Sequence, residues 1–210
     1  MVAVHYQKDM NYEHLLIFGV ICVAAFLLAT YLFPRLMLIV YKRAILSKGF
    51  GDGPIPINTL YTEPMALFAD PIHPPVGASK LATTGVNRDT LYVAGWLDLS
   101  KGPLVLHVPD FSALPAGTSA QAGRYYSVQF TDPTKNTNFA YVGTRATGTK
   151  AGEYLITGPR WKGTVPHGMG RISSPRNSVL VFGRVLVYID TDLATAYDLA
   201  KQLRLTPLGQ

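Results

Sequence analysis

From Leu15 to Phe33 the chain reads LLIFGVICVAAFLLATYLF, nineteen residues without a charge. At a rise of about 1.5 Å per residue a helix of this length covers about 28 Å, close to the ~30 Å hydrocarbon core of a bilayer. A soluble helix lying on a protein core would carry a polar stripe, and this segment has none. It is therefore read as a transmembrane span. A cleaved signal peptide is the rival reading. Against it, the apolar run is longer than an ordinary signal core, and the preceding MVAVHYQKDMNYEH is acidic as well as basic. The nearest small-x-small triplet, Ser47-Lys48-Gly49, stands well past the run. An uncleaved anchor fits better. Pro34 removes a helix donor and favours a kink or a fresh helix start. The apolar LMLIVY that follows extends the span, lies in the interface or packs on a partner helix. The expected layout is thus an N-terminal tail over 1–14, then a transmembrane helix with a juxtamembrane extension over 15–48. Arg35, Lys42, Arg43 and Lys48 are the expected contacts to head groups or to a partner subunit.

Residues 49–85 read as a loop-rich connector punctuated by Gly and Pro, with one short helix in TEPMALFAD capped by Thr62. Beyond it the pattern is strand, turn, strand. Runs rich in Val, Tyr, Phe and Leu predict strands over Leu91–Leu97, Leu104–Val108, Tyr125–Phe130, Phe139–Val142, Tyr154–Thr157 and Val179–Ile189. Turn signals separate them, among them Ser100–Pro103, Asp132-Pro133, Gly158-Pro159 and Gly168–Gly170. Short strands at this spacing predict a mainly β fold over 86–210, an antiparallel β-sandwich or jelly-roll-like domain. A C-terminal helix is expected over DTDLATAYDLAKQLRL. Thr191 or Asp192 would cap it, and Leu193, Ala196, Ala200 and Leu203 would form its buried stripe. Lys201 and Arg204 would stand near its end, ahead of Pro207.

Composition narrows the class. A chain of 210 residues holds one ordinary domain beside the anchor. One cysteine, Cys22, excludes an internal disulfide framework and a cysteine-rich zinc site. The net charge of +6 divides evenly: residues 1–48 hold five basic and two acidic residues, and residues 49–210 hold fourteen and eleven. Half of the excess therefore belongs to the anchoring quarter. No nucleic-acid recognition motif accompanies the charge, so membrane lipid and partner subunits are the expected anionic surroundings rather than nucleic acid.

No catalytic constellation emerges. The histidines, His5, His14, His73, His107 and His167, form no metal-ligand pair, and there is no Gly-x-Ser-x-Gly elbow. No metal site and no cofactor is expected. Two polar groups stand out: Asn87, Arg88 and Asp89 before the first long strand, and Gln129 and Asp132 at the end of another. Joined by Tyr92, Tyr125, Tyr126 and Arg184, they would make either a polar pocket with aromatic walls or a structural hydrogen-bond network.

The run from Val86 to Arg184 resembles the family called domain of unknown function 1254. The resemblance is carried by NRDTLYVAGWLDLSKGPLVLHVPD, then GRYYSVQFTDPTKNTNFAYVGTRATGTKAGEYLITGPRWKGTVPHG, then ISSPRNSVLVFGR. Asn87, Asp89, Thr90 and Tyr92 match its opening motif, and Arg124-Tyr125-Tyr126, Gln129 and Asp132 its central strand. Trp161 and Pro166 match its marked turns, and Pro175 and Arg184 close the match. The resemblance implies a β-rich, jelly-roll-like domain and brings no reaction and no catalytic residue. Longer members carry a second domain, domain of unknown function 1214, so the chain is expected to be a short, single-span version with a separate anchored companion.

Two functions follow as expectations. The first is an accessory or structural subunit, not an enzyme, whose β-domain packs on the partner subunits of a membrane complex. The alternative is an anchored enzyme or binding protein for a small polar ligand. Orientation is contested within the sequence. Four cations follow the span and one precedes it, which favours a cytoplasmic C-terminal domain. The export signals of the resembled family favour the periplasmic side of a bacterial inner membrane, and that is the placement expected.

Overall fold

The computed structural model describes residues 12–48, 53–62, 64–65, 89–115 and 123–209. The chain divides into two units, Met1–Ile39 and Val40–Gln210. Helix α1, Tyr12–Lys48, is a single element of 37 residues that continues through Pro34 instead of restarting there. One donor is lost at the proline, and the flanking turns carry the helix across it. In the first unit no described side chain is buried, and Leu15 to Phe33 present their apolar side chains outward. This is a helix long and apolar enough to cross a membrane, consistent with a membrane anchor or a signal sequence.

The second unit is built on two sheets, numbered β1 Tyr61–Thr62, β2 Thr90–Asp98, β3 Leu104–Val108, β4 Tyr126–Asp132, β5 Thr137–Gly143, β6 Gly152–Thr157, β7 Gly170–Ser173, β8 Ser178–Leu186 and β9 Arg204–Pro207. A five-stranded sheet runs β1-β2-β8-β4-β5, and a four-stranded sheet runs β7-β6-β3-β9. Every pairing is antiparallel except β6 with β7. The expected mainly β architecture is present as two mostly antiparallel sheets.

Strand alternation explains the core. In β8 every second residue is buried, and Val179, Val181 and Val185 face inward while Phe182 and Arg184 do not. Leu91, Val93 and Leu97 of β2 and Tyr126, Val128 and Phe130 of β4 join them. From the other sheet come Leu104, Leu106, Val108 and Ile156, so one continuous core is shared by both sheets. Ala196 and Ala200 of helix α2, Leu193–Gln202, complete it.

The last segment departs from the expected single helix. Helix α2 ends at Gln202, and Arg204–Pro207 form β9, where Arg204 stands opposite His107. Leu203 is buried, as its place in the apolar stripe suggested, but it closes the helix with an extended backbone. Thr62 ends β1 and its hydroxyl donates to the Ala200 carbonyl at 3.4 Å. The helix expected in TEPMALFAD falls largely outside the described residues.

Within the second unit the last turns of α1 meet the β-domain. Ile45 is 2% exposed, and its carbonyl accepts from the Ile55 amide at 3.3 Å. Lys42 lies 5.1 Å above the Trp96 ring, while the Trp96 indole donates to Ser178 Oγ at 2.7 Å. Asn58, at a left-handed φ of 66°, brackets β2 from outside. Its amide donates to the Trp96 carbonyl, and its side-chain oxygen accepts from the Asp98 amide at 2.7 Å. Gly95 has no room for a Cβ because the Thr59 carbonyl closes on it.

Candidate functional site

The outer face of the five-stranded sheet gathers part of the residue set singled out from sequence. Register places Tyr92, Arg184, Ser127 and Gly143 in one row across β2, β8, β4 and β5. The next row is Ala94, Phe182, Gln129 and Tyr141. Tyr92 packs on Phe182 with ring centroids 5.2 Å apart, and the Arg184 guanidinium lies 4.7 Å from the same ring. Gln129 donates to Thr131 Oγ1 and to Asn138 Oδ1, and its oxygen is 3.5 Å from an Arg184 nitrogen. Asn138 in turn donates to the Tyr141 hydroxyl at 2.7 Å. Tyr92, Gln129 and Arg184 thus share one half-exposed aromatic and polar surface, with Tyr125 at its edge beneath Arg145, 5.5 Å from the ring.

Ser127 and Gly143 are the small members of the first row. Above them lies an open cleft of about 320 Å³, walled by Tyr125, Tyr141, Arg145 and Arg184. Gly143 is required there, since a Cβ would strike the Tyr126 carbonyl on the neighbouring strand.

Other members of the set are placed elsewhere. Tyr126 points into the core, stacked on Phe111 at 4.0 Å, with its hydroxyl donating to the Gly148 carbonyl at 3.1 Å. Adjacent strand residues face opposite sides, so Tyr125 and Tyr126 do not share a wall. Asp132 is buried at the end of β4, past the bulge between Phe130 and Thr131, where its Oδ1 accepts from the Thr134 amide at 2.8 Å. Its Oδ2 has no hydrogen-bond partner among the described residues, and Arg176 Nε stands 3.9 Å away. Asp132 organises the turn into β5 and does not face the cleft. Asp89 accepts from the Thr90 hydroxyl at 2.8 Å, and its carbonyl takes the Val187 amide. Asn87 and Arg88 lie outside the described residues.

The four cations of the helix also have distinct places. Arg35 turns back on its own helix, donating to the Tyr31 carbonyl at 2.6 Å with its guanidinium 3.5 Å from the Tyr31 ring. Lys42 is engaged with Trp96, whereas the side chains of Arg43 and Lys48 are exposed.

Two polar assemblies were not singled out from sequence. Arg124, 1% exposed, makes a bidentate ion pair with Asp192 at 2.5 and 2.6 Å and also donates to the Leu186 carbonyl. Asp192 therefore does not cap α2 through its side chain, contrary to the expected cap. Burial alone would raise the Asp192 pKa. The Arg124 and Tyr188 hydrogen bonds and the Arg124 charge outweigh it and hold the carboxyl below its ordinary range. The second assembly lies on the four-stranded sheet. There His107 Nδ1 is 2.9 Å from Glu153, and Nε2 is 2.8 Å from the Thr206 hydroxyl. This array ties β6, β3 and β9 together across the strands. Among the described residues no group of three or more His, Cys, Asp or Glu side chains is placed to hold a metal ion.

Residues 70–207 match the family described as Protein of unknown function (DUF1254), and the chain belongs to that family. The match extends on both sides of the Val86 to Arg184 run that carries the resemblance in sequence. No curated protein matches the chain significantly. Among solved structures, the VPA0106 protein from Vibrio parahaemolyticus is similar with a TM-score of 0.57 and 23% identity, over 85% of this chain and 37% of that one. This likeness is one of fold. An uncharacterized protein from Burkholderia cenocepacia gives a TM-score of 0.39 and 11% identity, over 62% of this chain and 31% of that one. The chain thus spans 37% of the length of the first of these solved structures and 31% of the second.

Proposed function

We propose that the chain is a membrane-anchored accessory subunit, held by one span, whose β-domain packs on partner subunits of a larger membrane complex. The carrying observation is the stretch Leu15 to Phe33 of α1, free of charge on every side and without a buried side chain. Such a surface is costly in water and is satisfied by lipid or by neighbouring transmembrane helices. Arg35 supports the same reading, because its self-contained pairing with Tyr31 reduces the cost of a cation near hydrocarbon. The sheet termini β1, β5, β7 and β9 offer edges on which a partner can be seated. A separate anchored companion resembling domain of unknown function 1214 is the partner proposed. A jelly-roll-like winding of the two sheets belongs to this proposal as well.

The β-domain is placed in the periplasm of a bacterial cell, with the span in the inner membrane. Alkaline phosphatase joined after Gln210 is expected to be active, and a fluorescent protein joined at the same point is expected to stay dark. The reverse pattern would put the domain in the cytoplasm, where the cations after the span would then obey the positive-inside bias. Recovery of a shortened chain lacking the helix from the soluble periplasm would instead make the segment a cleaved leader.

A further inference from the structure

We propose that the cleft over Ser127 and Gly143 binds a small organic carboxylate with a planar apolar body. Its floor is made by the two smallest side chains of a row that otherwise carries Tyr92 and Arg184, so the space comes from the register of β8, β4 and β5. About 320 Å³ suits a ligand of modest size rather than a macromolecule.

The cleft presents two cations. The Arg145 guanidinium carbon lies over the Tyr125 ring, 5.5 Å from its centroid, and that of Arg184 over the Phe182 ring at 4.7 Å. A guanidinium held over a ring still has N–H groups to offer a planar acceptor, and a carboxylate matches that fork. Neither arginine forms an ion pair among the described residues. Among the described residues the side-chain hydrogen bond of Arg184, to Gln129 Oε1, is at the long distance of 3.5 Å. The rings of Tyr125 and Tyr141 provide apolar walls for the rest of the ligand.

The turn that carries Arg145 is firmly built. Three successive amides, Ala146, Thr147 and Gly148, converge on the Gly143 carbonyl, and the Gly143 amide donates to Thr147 Oγ1. The Thr144 hydroxyl donates to the Arg124 carbonyl and accepts from the Tyr126 amide. The buried Tyr126 hydroxyl anchors the far end at Gly148. Arg145 therefore projects from a preorganised backbone, and binding need not order the loop. This inference stands apart from the anchoring reading, since it involves neither lipid nor a second subunit.

The test is calorimetric titration of the full chain in zwitterionic nanodiscs, with empty nanodiscs subtracted. The probes are benzoate, benzyl alcohol and inorganic phosphate. Benzoate is expected to saturate one site, with benzyl alcohol and phosphate each at least tenfold weaker. R145Q and R184Q should each weaken benzoate at least tenfold, and S127L should abolish its binding by filling the floor. The inference is overturned if benzoate shows no saturable binding, if either other probe binds as tightly, or if either arginine variant binds benzoate unchanged. Should S127L misfold, the variant at the exposed Arg145 still decides.

Discussion

Replacing Arg124 by methionine is expected to remove about 3–5 kcal/mol of stability, the usual loss when one partner of a buried ion pair is deleted. The side chains of Arg124 and Asp192 are 1% and 3% exposed, so water cannot take the place of either. In Arg124→Met the Asp192 carboxylate keeps, among the described residues, only the Tyr188 amide, at 3.2 Å. Asp192→Asn should cost a similar amount, because the guanidinium then lacks its counter-charge. The double variant R124M/D192L should recover most of the loss, since a well-packed apolar pair avoids the desolvation that the ions incur. Urea unfolding of the full chain in micelles, followed by tryptophan fluorescence, measures all of these. The same pair sets an acid limit. Asp192 is held below its ordinary value of 3.8 in the folded chain. As pH falls through the ordinary value, the unfolded chain takes up the proton first. The pair's contribution is therefore present above that value and is lost as pH drops through the folded pKa. The double variant should lose less stability over that window than the unaltered chain.

Tyr126→Ala is expected to cost about 3–5 kcal/mol, as for other large aromatic truncations in a core. Tyr126 is fully buried, stacks on Phe111 and lies in the cluster shared by both sheets. Tyr126→Phe keeps the ring and loses one hydrogen bond, and should cost about 1 kcal/mol. The gap between the two variants separates packing from the hydroxyl's role in holding the Gly148 turn. Burial raises the Tyr126 pKa above 10.0, the nearby Tyr154 adds to the rise, and a hydrogen bond with Thr147 opposes it. The unfolded chain therefore loses this proton first, and stability should fall as pH rises past 10.0. Tyr126→Phe should flatten that alkaline decline.

Much of this fold is written in local pattern. The alternation in SVLVFGRVL sets the split between the inner valines of β8 and its outer Phe182 and Arg184, although the strand ends at Leu186, short of the expected Ile189. Strand β3 has the bounds that LVLHV alone suggests. The short pieces are less legible. Strand β7 follows a glycine turn and pairs parallel with β6, and β1 is two residues long, too short for any period. Strand β9 is hidden in the sequence because Leu203 continues the apolar stripe of α2, and the pattern carries the helix on into Arg204.

The site divides along the same line. Tyr92, Gln129 and Arg184 were legible as a polar and aromatic group, and cross-strand register brings them onto one face. The neighbours Tyr125 and Tyr126 had to diverge, because strand period alone forbids adjacent side chains one wall. The Arg124–Asp192 pair joins residues 68 apart. No spacing rule links an arginine ahead of a strand to an aspartate ahead of a helix, and Asp192 carried the competing signature of an N-cap. Arg145 carries no signal in the sequence, because its importance comes from the turn that holds it over the cleft.

The accessory-subunit reading is tested most directly by the size of the particle that holds the chain. The full chain, tagged after Gln210 and made at its native level, is extracted from its own membrane in several mild detergents and resolved by native electrophoresis with mass determination. A defined heteromer of constant composition that includes a second anchored subunit is expected. A lone, stable, folded monomer in every detergent would contradict it.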